Sequence, residues 1–138
     1  MKKIIFIVLF ICSVSLYANY ESDLLNRMKP VEKKYDSMIT SAKSTVEMVN
    51  AIGYASNEWD NELNKVYKLL MSSLSKDKQS TLRNTQRNWI KERDKKISQA
   101  SNSGGTADLI NGNSVFLEET KKRTLELAKS YDKLKNSK

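Results

Sequence analysis

Two polar side chains interrupt the apolar stripe of one segment of this chain, and they are the residues best placed for chemistry. At helical spacing, one face of the segment carries Leu82, Gln86, Trp89, Ile90, Arg93, Ile97 and Ala100. An amide and a guanidinium on such a face can form hydrogen bonds and ion pairs. Because an unpaired guanidinium is costly to bury, we expect another helix to supply acceptors for Arg93.

The preceding helical segment carries candidate acceptors. Asp60 and Asn64 lie on the margin of its apolar stripe, which runs through Leu63, Val66, Tyr67, Leu70 and Leu74. We therefore predict a polar network between helices that fixes which helix packs on which, formed by Asp60, Asn64, Gln86, Arg93 and Arg123. The alternative is that Arg93 or Arg123 faces a groove and pairs with the carboxylate of a ligand. Trp59 and Trp89 lie on core stripes and are interpreted as packing residues.

The residue types argue against catalysis. The chain has no histidine, and its only cysteine lies in the N-terminal leader described below. Two acidic pairs, Glu118-Glu119 and Asp60 with Glu62, point to different sides of a helix, which is typical of a solvated face. Asp108 is the only acidic residue in the glycine-containing loop, too few for an all-oxygen metal site. We expect a protein that is not an enzyme and needs no cofactor or metal.

The elements that must position these side chains are all helical. Ser44 to Glu47 fits a capping box and predicts a helix that continues to about Leu74. The next helix carries Gln86 and Arg93 and stops near Ala100. Turn-forming residues predict a loop over 101–114, followed by a last helix from about Ser114. We predict an all-α fold, an antiparallel bundle of three main helices plus an N-terminal one, divided into a leader at 1–18, an N-terminal helix at 19–43 and a helical domain at 44–135.

The first eighteen residues have the pattern of a secretory signal. Lys2-Lys3 precede an apolar run from Ile4 to Ile11, and Leu16 to Ala18 forms a cleavage site, so cleavage is expected after Ala18. The apolar run is too short for a spanning helix. Cleavage would remove Cys12, so the mature chain is expected to be periplasmic or secreted, free of disulfides and without a transmembrane helix.

The order and spacing of several residues resemble the LprI-type lysozyme-inhibitor family of small secreted bacterial domains. The resemblance spans roughly residues 44–131 and rests on Asp60, Leu63-Asn64, Tyr67, Gln86, Trp89, Arg93-Asp94, Gly104-Gly105, Thr120, Arg123 and Leu127. It implies a helical, non-enzymatic protein that blocks lysozyme-like muramidases. Members usually carry cysteines beside these motifs, whereas this chain has Ala51, Ile97 and Val115 at the corresponding positions.

Positive charge gives a second indication of function. Loss of Lys2 and Lys3 leaves 22 basic and 16 acidic residues, a net charge of +6. Four of the basic residues recur every fourth position and form an exposed ridge along one predicted helix: Arg83, Arg87, Lys91 and Lys95. Such a ridge is usually a solvated face, but it also attracts anionic polymers. Nucleic acid is a poor candidate partner for an exported protein.

Two functional hypotheses follow. The first is an inhibitor that occludes the carboxylate-containing cleft of a muramidase, although the loop 101–114 contains no Lys or Arg and many lysozymes are themselves basic. The second is an envelope module that binds an anionic polymer, a lipid head group or another envelope protein through the basic ridge. A structural domain without a ligand is the remaining alternative.

Overall fold

The computed structural model describes residues 19–137, which form four α-helices. Their bounds are α1 Tyr20–Ser41, α2 Thr45–Ser73, α3 Lys76–Ala100 and α4 Ala107–Asn136. No strand occurs within this range. The predicted all-α class is therefore confirmed. The expected leader, with Cys12 and the cleavage point, lies outside the described residues.

Helix α4 is the central element of the bundle. It packs on α1, α2 and α3, and its contact with α2 is the most extensive in the structure. The buried apolar core comes from α1, α2 and α4, with Leu24, Trp59, Val66, Leu117 and Leu127 among its members. No residue of α3 is buried, so α3 lies on the side of the bundle and contacts mainly α4.

A polar contact between the two ends of the sequence fixes α1 against α4. The carboxylate of Asp132 accepts hydrogen bonds from the backbone N–H groups of Tyr20 and Glu21, at 2.8 and 3.0 Å. The first N–H groups of a helix have no partner within it, and a negative charge there is favourable. Asp132 thus acts as an N-terminal cap supplied from a distant helix, and the Asn19 side chain accepts a further bond from Glu21 N–H.

Helix α2 begins as its sequence predicts. Ser44 is the N-cap, and its hydroxyl oxygen accepts a hydrogen bond from the backbone N–H of Glu47 at 3.2 Å. The Glu47 carboxylate in turn accepts from the backbone N–H of Lys43. Both groups lie within four residues of each other, so a local pattern is sufficient to specify this helix start.

The predicted start of the last helix near Ser114 is wrong, because α4 already begins at Ala107. Asn111 to Asn113 are helical, although they resemble a turn in sequence. Gly112 is buried, and a side chain there would collide with the hydroxyl of Ser101. The glycine therefore allows the end of α3 to approach α4 closely, and this tertiary contact offsets the low helix propensity of glycine.

The buried hydroxyl of Thr120 provides a test of how this core is packed. Thr124 Oγ1 donates to the Thr120 carbonyl oxygen at 2.7 Å, whereas Thr120 Oγ1 has no hydrogen-bond partner in the part of the chain described. Thr120→Val removes that unpaired group at nearly constant shape, so we expect the free energy of unfolding to rise by about 1 kcal/mol. Denaturant titration measures this change. Thr124→Val is the control and should lower stability. Equal losses in both variants would contradict the statement that the Thr120 hydroxyl is unpaired.

Candidate functional site

The structure joins two of the five predicted network residues across the α3–α4 interface. Arg123 Nε on α4 donates to Gln86 Oε1 on α3 at 2.9 Å, and Arg123 Nη1 lies 3.1 Å from the carboxylate of Glu126. The Arg123 side chain is only 11% exposed, so both bonds satisfy a largely buried guanidinium. This pair links α3 to α4 at a defined register.

The hydrogen-bond partners of Arg93 differ from those predicted. Its Nε and Nη2 atoms donate to the carboxylate of Asp94, the next residue, at 3.1 and 2.9 Å. Its guanidinium carbon lies 5.0 Å from the ring centroid of Trp89 and 4.7 Å from that of Phe116, within range of cation–π attraction. The Arg93 side chain is 14% exposed. It is therefore paired and stacked near the end of α3.

The expected acceptors for Arg93, Asp60 and Asn64, instead pair with each other within α2. The Asn64 amide donates to the backbone carbonyl of Asp60 at 2.9 Å and to its carboxylate at 3.1 Å. The reason is the packing order of the helices, because α3 lies against α4 and makes little contact with α2. The five predicted residues therefore form three separate groups, and no continuous network connects them.

The two tryptophans lie in different environments. Trp59 is 2% exposed, and its indole N–H donates to Glu32 at 2.6 Å. Lys121 completes this cluster, with Nζ 2.8 Å from the other Glu32 oxygen and 5.4 Å from the Trp59 ring. Trp89 is only partly buried and packs at the edge of the core. Trp59 is a central packing residue, whereas Trp89 helps to hold α3 on the bundle.

Sequence reasoning missed Glu62, which was interpreted as part of a solvated face. Glu62 is 5% exposed and pairs with Arg27 Nη2 at 2.9 Å and Lys65 Nζ at 2.7 Å. Burial alone would raise the pKa of Glu62, but the hydrogen bonds from these two cations outweigh it and hold the pKa below its ordinary value. Glu62 lies three residues after Trp59 and four before Val66, so helical spacing already places it on the buried stripe.

The connection between α3 and α4 is short and internally bonded. The Asp108 carboxylate accepts from the backbone N–H groups of Ser103 and Gly104, at 3.1 and 2.9 Å, and from the Ser103 hydroxyl. The bond from the Ser103 hydroxyl, followed by those from the backbone, lowers the pKa of Asp108 below its ordinary value. Ser101 Oγ donates to the Asp108 carbonyl at 3.2 Å, and Gly104 takes a positive φ of 79°. We call residues 101–113 the α3–α4 tip.

The α3–α4 tip presents apolar surface at one end of the bundle. Leu109 is 60% exposed and borders a shallow cavity that Ile97 and Phe116 also line. Val46, at the start of α2, is 67% exposed. The Thr124 hydroxyl reaches the Trp59 carbonyl, and later in both helices Leu70 of α2 lines one cavity with Leu134 of α4. Helices α2 and α4 therefore run parallel, and Val46 lies at the level of the tip. The two most exposed large apolar side chains of the described chain are therefore at the same end.

The predicted basic ridge is exposed along its whole length. Arg83, Arg87, Lys91 and Lys95 are all exposed, and none has an ion pair within residues 19–137. A neighbouring cation of the same helix behaves differently, since Lys96 Nζ pairs with Glu119 on α4 at 2.7 Å. The basic ridge thus takes no part in the ion pairs that join α3 to α4.

The described residues contain no group of three or more His, Cys, Asp or Glu side chains that could hold a metal ion. In the same part of the chain, no helix is long and apolar enough to cross a bilayer. What the structure does present is two surfaces, the α3–α4 tip and the basic ridge. These features define a small helical domain whose exposed surfaces suit binding.

Comparison with protein-family models identifies the group to which this domain belongs. The model described as lysozyme inhibitor LprI matches residues 36–127, from the last turns of α1 to the second half of α4. The chain is therefore a member of the LprI lysozyme-inhibitor family. Comparison with curated proteins and with solved structures finds no match.

Proposed function

We propose that this protein is an exported inhibitor that binds a lysozyme-like muramidase and blocks its cleft with the α3–α4 tip. Membership of an inhibitor family supports the class of partner. The leader pattern of residues 1–18 supports export. The observation that carries the proposal is the bonded tip with its exposed Leu109.

An internally bonded projection with an exposed leucine suits the occlusion of a cleft. The Asp108 bonds hold residues 103 and 104 in place before any partner arrives, so little conformational entropy is lost on binding. An exposed Leu109 beside a shallow cavity can supply the central apolar contact that dominates many interfaces. Backbone groups and short side chains around it can form the polar rim.

The charge of the tip also suits this partner. Asp108 is the only charged side chain among residues 101–113. Many lysozymes are basic, so approach through the tip avoids the repulsion that approach through the basic ridge would cause. The tip contains no cation to pair with the catalytic carboxylates. Inhibition would therefore come from steric exclusion of substrate and from hydrogen bonds.

A muramidase inhibition assay tests this proposal. The chain beginning at Asn19 is titrated against several lysozyme types, with cell-wall hydrolysis as the readout. We expect inhibition of at least one type, and a loss of affinity of about tenfold or more for Leu109→Asp, because the charge would have to be desolvated at the interface. Leu25→Asp is the matched control, since Leu25 is 43% exposed on α1 and lies outside the tip. Absence of inhibition, or equal losses in both variants, would contradict the proposal.

A further inference from the structure

The net positive charge of the protein is concentrated in one helix. Helix α3 contains eight Lys or Arg and three Asp or Glu, a net charge of +5. The rest of residues 19–138 contains 14 Lys or Arg and 13 Asp or Glu, a net charge of +1. Helix α3 also contributes no buried residue to the core. One helix on the side of the bundle thus carries nearly all of the excess charge.

The arrangement of these charges opposes the stability of the helix. Arg83, Arg87, Lys91 and Lys95 are spaced four residues apart, and like charges at this spacing destabilise a helix. Arg83 and Arg87 have no acidic residue three or four positions away that could compensate. All four ridge side chains are exposed, and none takes part in the bond by which Gln86 joins α3 to α4. Neither folding nor helix packing therefore accounts for the ridge.

The pattern of ion pairs also leaves the ridge free. Asp94 is three residues after Lys91 and within helical reach of it, but both short bonds to its carboxylate come from Arg93. Lys96 is paired with Glu119 on α4. Cations on the inner side of α3 are thus neutralised, and the outer row is exposed. Asn84 and Asn88 flank this row and add exposed amide donors.

We propose that the basic ridge binds a linear polyanion that carries one phosphodiester per repeat unit and lies along α3. Successive ridge residues are separated by about 6 Å along the helix axis, and the row extends over about 18 Å. A chain of regularly spaced phosphates can therefore contact several cations at once, and arginine at two of the four positions suits phosphate geometry.

A linear polymer fits this surface better than a bilayer does. A helix that lies on a membrane inserts an apolar face beneath its basic one. The apolar face of α3 is covered by α4, and Ile90, at 38%, is the only exposed large apolar side chain on α3 in the described structure. The ridge is also a single row and does not form a broad basic surface. This surface is separate from the α3–α4 tip, so the inference does not rest on the proposed inhibition.

A binding titration with a fluorescent glycerol-phosphate oligomer of about twelve units tests the inference. Such an oligomer is longer than the ridge, so it can contact all four cations at once. The chain beginning at Asn19 is compared with a variant in which Arg83, Arg87, Lys91 and Lys95 are all changed to Gln. The control variant changes four exposed lysines elsewhere to Gln: Lys33, Lys68, Lys122 and Lys133. Both variants have the same net charge, so any difference between them reports the position of the cations. Circular dichroism verifies that both retain their helical content.

We expect the ridge variant to lose affinity by about tenfold or more, and its plot of log affinity against log salt to be shallower by about 2–3, because four phosphate contacts are lost. The control variant should bind nearly as well as the parent chain. Glycerol phosphate monomer, at equal phosphate concentration, should not compete. Equal losses in the two variants, competition by the monomer, or tighter binding to anionic phospholipid vesicles or to a poly-glutamate peptide would each overturn the inference.

Discussion

Trp59→Ala is expected to lower the free energy of unfolding by about 3–5 kcal/mol, the largest effect of any single substitution considered for this chain. Trp59 is 2% exposed and lies among core residues of α1, α2 and α4. Its removal would leave a large cavity and would also remove the indole donor that Glu32 accepts. Small domains have a total stability of about 5–15 kcal/mol, so this loss would be a large fraction of the total.

Urea titration followed by circular dichroism measures this loss. Trp89→Ala is the matched control, because it removes the same side chain from a partly buried position at the edge of the core. We expect it to cost clearly less than Trp59→Ala. If the two variants lose the same stability, or if Trp89→Ala is the more damaging, the central position of Trp59 between α1, α2 and α4 is incorrect.

Glu62→Gln is expected to have the second largest effect, a loss of about 1–3 kcal/mol at neutral pH. The carboxylate is 5% exposed and pairs with two cations, Arg27 and Lys65, at 2.9 and 2.7 Å. Both cations are partly exposed and can be solvated when the carboxylate is neutralised, which keeps the loss below that of a fully buried pair. The amide would retain only part of this hydrogen bonding.

The contribution of Glu62 to the free energy of unfolding should decrease as the pH falls. Its pKa in the folded protein lies below the ordinary value of 4.5, so its stabilising contribution is complete above pH 4.5 and disappears as the pH falls through the folded pKa. The stability difference between the parent chain and Glu62→Gln should therefore be largest near neutral pH and should shrink in acid. Urea titrations from neutral pH to about pH 3 measure this difference. A difference that grows in acid would contradict the pairing.

Local patterns predicted the parts of the fold that depend on neighbouring residues. The all-α class followed from helical periodicity, and the start of α2 followed from Ser44 and Glu47, which bond within one turn. The start of α4 could not be predicted in this way, because Gly112 is helical only in combination with the close approach of Ser101. A glycine beside two asparagines has the local preference of a turn, and a tertiary contact overrides that preference.

In the candidate site, too, local sequence patterns predict which face of a helix a residue lies on, but not which helix that face contacts. Periodicity correctly places Gln86 and Arg93 on the inner face of α3, but it does not reveal which helix that face meets. Because α3 packs on α4, Gln86 contacts Arg123 and Arg93 uses Asp94. Glu62 was recognisable from its spacing and was missed because its residue type suggested solvent. The α3–α4 tip depends on Asp108, whose role emerges only when the loop is folded.

The most direct test of the proposed binding through the α3–α4 tip is hydrogen exchange of the protein alone and mixed with a lysozyme-like muramidase chosen by the inhibition assay. Binding is expected to slow amide exchange in residues 101–113, above all around Leu109, and to leave exchange on the outer face of α3 unchanged. Protection confined to the basic ridge, or to α1 with no change at the α3–α4 tip, would contradict the account.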